Sequence, residues 1–349
     1  MKKVVLALCA VMMLGMAACK KDNVEPANPS GGDSHPTQIP TGEGYFNPVQ
    51  RISSIIVDGE VSEEWDWNND VVTTIMTPGE GGSMLETSWF EYSNYRLMGA
   101  NTTLQGMPVL IDYSYSGDKL ASVSASSGPM EVLNIVFTHS AEGKISHLTM
   151  NINEYVLAIL SELFGNSFPN IFGKTLAAVP GKFSVNSTDF AADLTWQGDN
   201  VSQFALAGDV SIDATLGEIR EMINLDSLLG SYSVFLSALG DSTVIPITIS
   251  LSETSTFTYD NKSNPFYGFF GRLDPSMLSA NNVTTVSNDV SATLSASLNL
   301  GFMVLPLSFP LPIPVDVSPV NLTYTYNAAG FPETATAADG SVTRYVYLQ

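Results

Sequence analysis

The sequence predicts a mainly β protein, a large antiparallel meander that forms a strongly curved sheet or barrel and carries two amphipathic helical insertions. Three observations predict this fold. A phrase of two aromatic residues, a polar turn and glycine recurs along the chain, several segments alternate apolar and polar residues, and two segments have a helical period. The predicted organisation is a signal peptide at 1–18, a lipid anchor and flexible tether at 19–45, and a single β-rich domain at 46–349.

The first segment has the composition of a bacterial export signal. Two lysines precede an apolar run at residues 4–16, and Ala17 and Ala18 stand directly before Cys19. A charged start, a short apolar stretch and small residues at the cleavage point are typical of a secretory signal rather than a membrane span. The small residues before Cys19 resemble the lipobox of bacterial lipoproteins, which implies lipidation of Cys19. The alternative is an ordinary signal peptide with a chance cysteine.

The next segment is predicted to tether the domain to the bilayer. Residues 20–44 are dominated by Pro, Gly, Ser, Asn and Asp and have few bulky apolar side chains. The charged residues after Cys19 resemble the signal that directs Bacteroidetes lipoproteins to the cell surface. We therefore expect an outer-membrane lipoprotein that meets the membrane through Cys19, on the cell surface or the periplasmic face.

The composition excludes several classes of function. The chain has 35 Asp and Glu against 14 Lys and Arg, a net charge of −21. A protein with this net negative charge repels the phosphate backbone of nucleic acids, so we predict no nucleic-acid partner. Cys9 and Cys19 are the only cysteines, which leaves no disulfide framework and no thiolate metal site in the domain.

The recurring aromatic phrase predicts about seven irregular hairpins. It is clearest at the C-terminus, where Tyr324 and Tyr326 should pack on one face of a strand and Gly330 and Gly340 should form turns. Related phrases begin near residues 65, 90, 113, 137, 194 and 257. Because the phrase repeats, its aromatic residues are interpreted as packing residues.

Later segments give more specific expectations. Residues 245–251 and 292–302 alternate strictly, which predicts strands with one dry face. Residues 305–320 contain five prolines and are predicted to form an edge strand or an extended crossing. Two segments, 151–165 and 215–240, have helical apolar stripes and are expected to cover the apolar face of the sheet.

Few residues suggest a metal site. His139 and His147 flank a turn and could face each other across a hairpin, although solvated strand residues are the preferred interpretation. Asp66, Asn68 and Asp70 have the spacing that begins a calcium loop, but the loop lacks its central Gly and closing Glu. The sequence therefore predicts no metal ligands and no cofactor.

No catalytic constellation is evident either. Glu63 and Glu64 are adjacent, so their side chains should point apart rather than share a substrate. Asp260, Asn261 and Asn264 are interpreted as turn formers. With no nucleophile or phosphate-binding motif in a credible context, the protein is predicted not to be an enzyme.

The four tryptophans are candidates for sugar stacking. Trp65, Trp67 and Trp196 occupy aromatic positions of the repeated phrase, where cross-strand packing accounts for them. Trp89 lies one residue out of that register. Of the four, Trp89 is therefore the better candidate for an exposed, ligand-binding aromatic residue, although a structural role is the preferred interpretation.

Several motifs together resemble a known group of proteins. These are the lipobox, the polar tether, the repeated Tyr-x-Tyr-x-x-Gly-x-Leu phrase, and FTYDNKSNPFYGFF followed by LSANN at 278–282. They resemble uncharacterised Bacteroidetes lipoproteins of the DUF4595 type, which implies a porin-like fold over roughly residues 50–349 and transfers no catalytic residue. The Tyr-Asp phrase is also similar to Rhs/YD repeats, which are more regular and more numerous.

The predicted function is that of a lipid-anchored, non-catalytic binding protein for an apolar or glycan ligand held by the curved sheet. The alternative is a structural or partner subunit of an outer-membrane assembly, whose protein partner the sequence does not identify. An integral outer-membrane barrel is a third possibility. The lipid anchor, the two helices and the terminal Leu348-Gln349 in place of a closing aromatic residue argue against it.

Overall fold

The strands of the chain form a single antiparallel sheet. The computed structural model describes residues 40–78, 85–104, 107–152, 184–217, 240–272, 274–299, 304–311 and 318–348. The strands in these ranges are β1 (Ile52–Val57), β2 (Glu60–Asn68), β3 (Val71–Pro78), β4 (Leu85–Ser93), β5 (Arg96–Leu104), β6 (Met107–Ser116), β7 (Lys119–Ser127), β8 (Met130–His139), β9 (Ile145–Ile152), β10 (Ser184–Gln197), β11 (Asn200–Thr215), β12 (Val244–Ser263), β13 (Asn281–Asn299), β14 (Val304–Leu311), β15 (Val320–Tyr326), β16 (Pro332–Ala337) and β17 (Val342–Tyr347). A 3-10 turn lies at Pro275–Leu278.

The sheet closes on itself as a barrel. From β1 to β14 each strand pairs with the next along the chain, as β15, β16 and β17 do, and β1 pairs with both β2 and β17. β13 pairs with β14 near one end, through residues 292–299, and with β15 through Thr285 and Val286. The closed ring therefore has sixteen strands, and β14 is an additional edge strand. The predicted meander and barrel are confirmed. The edge strand predicted in the proline-rich segment is observed up to Leu311, and residues 312–317 lie outside the described residues.

The two helical insertions are not confirmed. The described part of the chain contains no α-helical element, and most of both predicted segments, at 153–165 and 218–239, lies outside it. Ile152, predicted on the first helix, ends β9 and pairs with Leu133. The alternation of Leu148, Met150 and Ile152, all buried, continues to this residue and outweighs the helical pattern.

The barrel has an apolar interior and a polar outer wall. On β12, Ile245, Ile247 and Ile249 are buried. Thr248 and Ser250, which alternate with the isoleucines, lie on the opposite face. The buried residues of all the long strands join one hydrophobic core. The dry and wet faces predicted for 245–251 are thus observed, with the dry face inside. Of the segment 292–302, Ala292 and Leu294 are buried as predicted, and residues 300–302 lie outside the described residues.

The two ends of the barrel differ. We call end A the end with the turns at 58–59, 128–129 and 338–341, and end B the end with the turns at 69–70, 94–95, 117–118, 140–144, 198–199 and 327–331. Antiparallel neighbours alternate in direction, so every second turn lies at the same end. The repeated aromatic phrases all precede end-B turns, and in each hairpin the strand register shifts just before the second position of the phrase.

Two segments close end B. Phe46, from the segment before β1, and Phe269, from the loop 264–280, contact each other with ring centroids 4.9 Å apart. Arg272 of the same loop forms an ion pair of 2.9 Å with Glu63, and both side chains are nearly buried. Residues 42–45, assigned to the tether by the sequence analysis, also contact the barrel, since Leu97 N donates to Gly44 O at 2.9 Å.

Candidate functional site

A row of side chains crosses the outer wall of β2 to β6. Strand pairing places Asp66 opposite Thr74, Thr74 opposite Trp89, Trp89 opposite Asn101, and Asn101 opposite Leu110. Since adjacent strands lie about 4.8 Å apart, the row is about 19 Å long. We call these five residues the outer row.

Trp89 is the exposed aromatic residue at the centre of the outer row. Its side chain is 44% exposed, while its strand neighbours Ser88 and Phe90 are buried inside the barrel. In contrast, Trp65 is buried in the core, where it stacks near Trp67 with ring centroids 6.5 Å apart. The expected exposure of Trp89 is therefore observed, and so is the packing role of the aromatic residues in the repeated phrase.

The polar side chains beside Trp89 are held by hydrogen bonds. Asn101 Nδ2 donates to Glu91 Oε1 at 2.7 Å, and Glu91 lies two residues from Trp89 on the same face. On the other side, Thr74 Oγ1 donates to Asp66 Oδ2 at 3.0 Å. Each carboxylate keeps a second oxygen that can accept a hydrogen bond from a ligand hydroxyl. The arrangement combines an exposed ring with oriented acceptors on either side.

Inside the barrel, a small cavity lies among the described side chains. This cavity between β8, β9, β10, β11 and the loop 264–280 has a volume of about 20 Å³ and an entirely apolar lining, which includes Phe137, Met150 and Phe204. Such a volume holds roughly one water molecule, whereas ligand pockets measure about 300–1,000 Å³. The cavity is too small for the apolar ligand that the sequence analysis considered.

One carboxyl group lies within this interior. Glu253 follows Ile249 and Leu251 on the inner face of β12 and is 8% exposed. Its Oε1 accepts a hydrogen bond of 3.0 Å from Ser255 Oγ, and its Oε2 has no partner among the described residues. Burial raises the pKa of the Glu253 carboxyl, and the Ser255 hydrogen bond opposes this effect only in part.

The two histidines of the β8–β9 hairpin do not form a pair. His139 lies opposite Ile145, and its Nε2 is 2.9 Å from a carboxylate oxygen of Glu43. His147 Nδ1 is 2.7 Å from Asp193 Oδ1 on β10. Each ring therefore meets a carboxylate from another element. His139 is also less solvated than expected, with a side-chain exposure of 14%, because the segment before β1 covers it.

The remaining polar candidates have structural partners. Asp260 and Asn264 each accept a hydrogen bond from the backbone N–H two residues later, at 2.9 and 3.0 Å, as expected of turn formers. Asp70 pairs with Arg51 beside the turn at 69–70. Glu63 is buried while Glu64 is exposed, so the two carboxylates point apart as predicted. In the described ranges, no group of three or more His, Cys, Asp or Glu could hold a metal ion.

Sequence reasoning found Trp89 but missed its neighbours. Glu91 could have been found, because the buried positions Phe90 and Tyr92 of the repeated phrase leave residues 89 and 91 on the other face. Thr74 and Asn101 could not, because register shifts near the turns set which residues stand opposite Trp89. Cys19, the predicted lipidation site, lies outside the described residues.

Two comparisons with known proteins give no match. No protein-family model matches the chain, and no curated protein matches it significantly. The resemblance to Bacteroidetes lipoproteins therefore stays a prediction. Among the described helical residues, no segment is both long and apolar enough to cross a membrane.

Proposed function

We propose that this protein is a non-catalytic, glycan-binding lipoprotein of the outer membrane, anchored through Cys19, with the ligand bound on the outer row. The observation that carries the proposal is the exposed Trp89 ring between hydrogen-bonded polar side chains. An aromatic face can pack on the C–H face of a sugar, while the flanking acceptors bind its hydroxyl groups. The row runs across five strands and suits an extended ligand.

The geometry favours a glycan over an apolar ligand. An apolar ligand would need an enclosed space, and the cavity between β8, β9, β10, β11 and the loop 264–280 has a volume of only about 20 Å³. A glycan needs no enclosed space, since flat surfaces with an aromatic residue and polar groups can hold it.

The first prediction concerns Trp89. Trp89→Ala should weaken binding to the recognised polysaccharide about tenfold or more, because an aromatic contact contributes about 1 kcal/mol beyond its buried area. Binding is measured with the detergent-solubilised full-length protein by affinity electrophoresis against a panel of polysaccharides. Tyr267→Ala is the matched control, since Tyr267 is 50% exposed but lies at end B. If no polysaccharide retards the wild type, or if Trp89→Ala binds as the wild type does, the proposal fails.

A second candidate function is contact with a protein partner. Leu110, at the end of the outer row, is 40% exposed, and its apolar surface adds to that of Trp89. An exposed apolar pair can mark a protein interface. Co-purification from native membranes distinguishes the two functions: a partner lost with Leu110→Ser while polysaccharide binding persists would favour the assembly role.

A further inference from the structure

We infer that the outer row selects glycans that carry free, positively charged amino groups. The inference rests on the proposed function and names the class of glycan that the same site takes. Three features of the outer wall carry it: the hydrogen-bond acceptors beside Trp89, a pair of neighbouring carboxylates, and the shortage of basic residues in this part of the sequence.

The polar groups beside Trp89 offer more acceptors than donors. The Thr74 hydroxyl has one hydrogen, which it donates to Asp66 Oδ2, so towards a ligand this hydroxyl can only accept. The Asn101 amide uses one N–H on Glu91 Oε1, which leaves one N–H and the Oδ1 acceptor. Ionised carboxylates only accept. A matching ligand therefore supplies donors, and an ammonium group supplies three of them.

These hydrogen bonds place a carboxylate on each side of the Trp89 ring. Thr74 and Asn101 stand directly opposite Trp89 on β3 and β5. Because their hydrogen-bond partners are Asp66 and Glu91, a negative charge lies beside each of them. The ring is 44% exposed, and an aromatic face attracts a cation that lies within about 6 Å of its centre. An ammonium group over Trp89 is therefore attracted by the ring and by both carboxylates, whereas a neutral sugar is not.

A further carboxylate lies next to Glu91 on the outer wall. In the strand register Gly99 stands between Glu91 and Asp112. The Glu91 side chain extends over Gly99, since its Oε2 is 3.6 Å from the point that a Cβ atom of residue 99 would occupy. Glu91 and Asp112 are both exposed, and Gly99 places no side chain between them. Two like charges so placed repel each other, and a cationic group bound beside them removes the repulsion.

The sequence supplies almost no positive charge to this part of the wall. From residue 52 to residue 118, a range that covers β1 to β6, eleven Asp and Glu stand against one basic residue, Arg96. Arg96 lies at end B, where its Nε donates to Glu43 O at 3.0 Å and its Nη1 donates to Gly117 O at 2.8 Å. A glycan with uronic acid or sulfate groups would therefore meet charges of its own sign and be repelled.

Oligosaccharides of equal length and different charge test the inference. The probes are chitosan oligosaccharides, which carry free amines, their N-acetylated counterparts, which are neutral, and oligogalacturonates, which are anionic. Binding to the detergent-solubilised full-length protein is measured by isothermal titration calorimetry at about pH 6, where exposed carboxylates are ionised and the amines are largely protonated. The amine probe should bind about tenfold more tightly than the acetylated probe, and the anionic probe should bind least. The preference should shrink as the salt concentration rises, because exposed charges are screened.

Two variants separate the outer row from the overall charge of the protein. Glu91→Gln removes a charge but keeps an oxygen that can accept the hydrogen bond from Asn101, and it should lower the preference for the amine probe several-fold. Asp209→Asn is the matched control, because Asp209 is an exposed carboxylate on β11, outside the outer row. It removes the same charge and should leave the preference unchanged. Asp112→Asn should act as Glu91→Gln does, and it replaces that variant if Glu91→Gln does not fold.

The possible failures are distinguishable. Binding of the acetylated or anionic probe as tight as that of the amine probe would overturn the selectivity while the glycan proposal stands. The same holds if a neutral or anionic polysaccharide binds through Trp89 and the amine probe does not. An equal loss of preference in Glu91→Gln and Asp209→Asn would assign the preference to the net charge of −21 and not to the outer row. If no glycan of any class binds, the proposed function and this inference both fail.

Discussion

At the scale of single residues, the position of a residue within its strand decides what its side chain does. Trp89 and Phe90 are neighbours, yet Trp89 is 44% exposed and Phe90 is 7% exposed, because successive residues face opposite sides of a strand. The same alternation brings Glu253 into the interior among Leu251, Val290 and Leu206. Burial there raises the pKa of the Glu253 carboxyl.

Glu253 should therefore make stability depend on pH. Its pKa is raised in the folded state above the unfolded value of about 4.3, so its favourable contribution is complete below that value and is lost as the pH rises towards the folded pKa. Glu253→Gln should be more stable than the wild type at pH 8 by about 1–3 kcal/mol, because it replaces a buried charge by a neutral group. The difference should vanish near pH 4.

Urea denaturation at several pH values measures this difference. Glu64→Gln is the control, since Glu64 is exposed and its replacement should leave the pH profile unchanged. A pH profile of Glu253→Gln identical to that of the wild type would contradict the prediction.

At the scale of elements, aromatic hydrogen bonds join successive hairpins at end B. Trp67 Nε1 donates to Ile52 O at 2.7 Å, and Trp196 Nε1 donates to Ile145 O at 2.6 Å. In both cases the acceptor is the first residue of the preceding strand. The repeated phrase thus combines a turn, a bulge and a link to the neighbouring hairpin. The loop 264–280 is joined to β2 by the ion pair between Glu63 and Arg272.

Arg272→Met should destabilise the protein by about 3 kcal/mol, because it leaves the Glu63 carboxylate buried without its counter-charge. The backbone amides of residues 264–280 should then exchange faster with solvent, which hydrogen-exchange mass spectrometry detects. Adding Glu63→Gln to Arg272→Met should recover part of the loss. Lys262→Met, at an exposed position over Tyr326, serves as the control and should cost little. Unchanged exchange in Arg272→Met would show that the loop does not depend on this pair.

At the scale of the whole molecule, the barrel reverses the arrangement of a transmembrane barrel. Transmembrane barrels have an apolar outer band and a polar interior. Here the core lies inside, and the outer face of the longest strands, β12 and β13, is formed by serine, threonine and aspartate. With its core inside a closed ring, the molecule needs every strand pair to keep that core from water.

Removal of residues 342–349, which contain β17, should abolish cooperative unfolding. The deletion leaves β1 and β16 with unpaired edges and exposes the core residue Ile55, which stands opposite Tyr345. Size-exclusion chromatography and thermal melting should show aggregation or loss of a single transition. Removal of Gln349 alone is the control and should have no effect. A monomeric, cooperatively melting deletion variant would disprove the dependence on closure.

Local features of this fold could be predicted from the sequence, and long-range ones could not. Gly330 and Gly340 have φ of 84° and 85°, which glycine adopts readily, and prolines restrict β14 to the edge of a sheet. Both features follow from residue types in the local sequence. The closure of β1 on β17 depends on residues at opposite ends of the chain, and no local pattern specifies it. The same holds for the site: alternation exposes Trp89, but its partners depend on register.

The pairing of β1 with β17 also determines when the protein can finish folding. Ile52 and Tyr347 pair although 295 residues (347 − 52) separate them. A chain synthesised from its N-terminus must leave one edge of β1 unpaired until its last strand is made. During that interval the edge can pair with other chains, so the speed of synthesis or the presence of a chaperone should determine the yield.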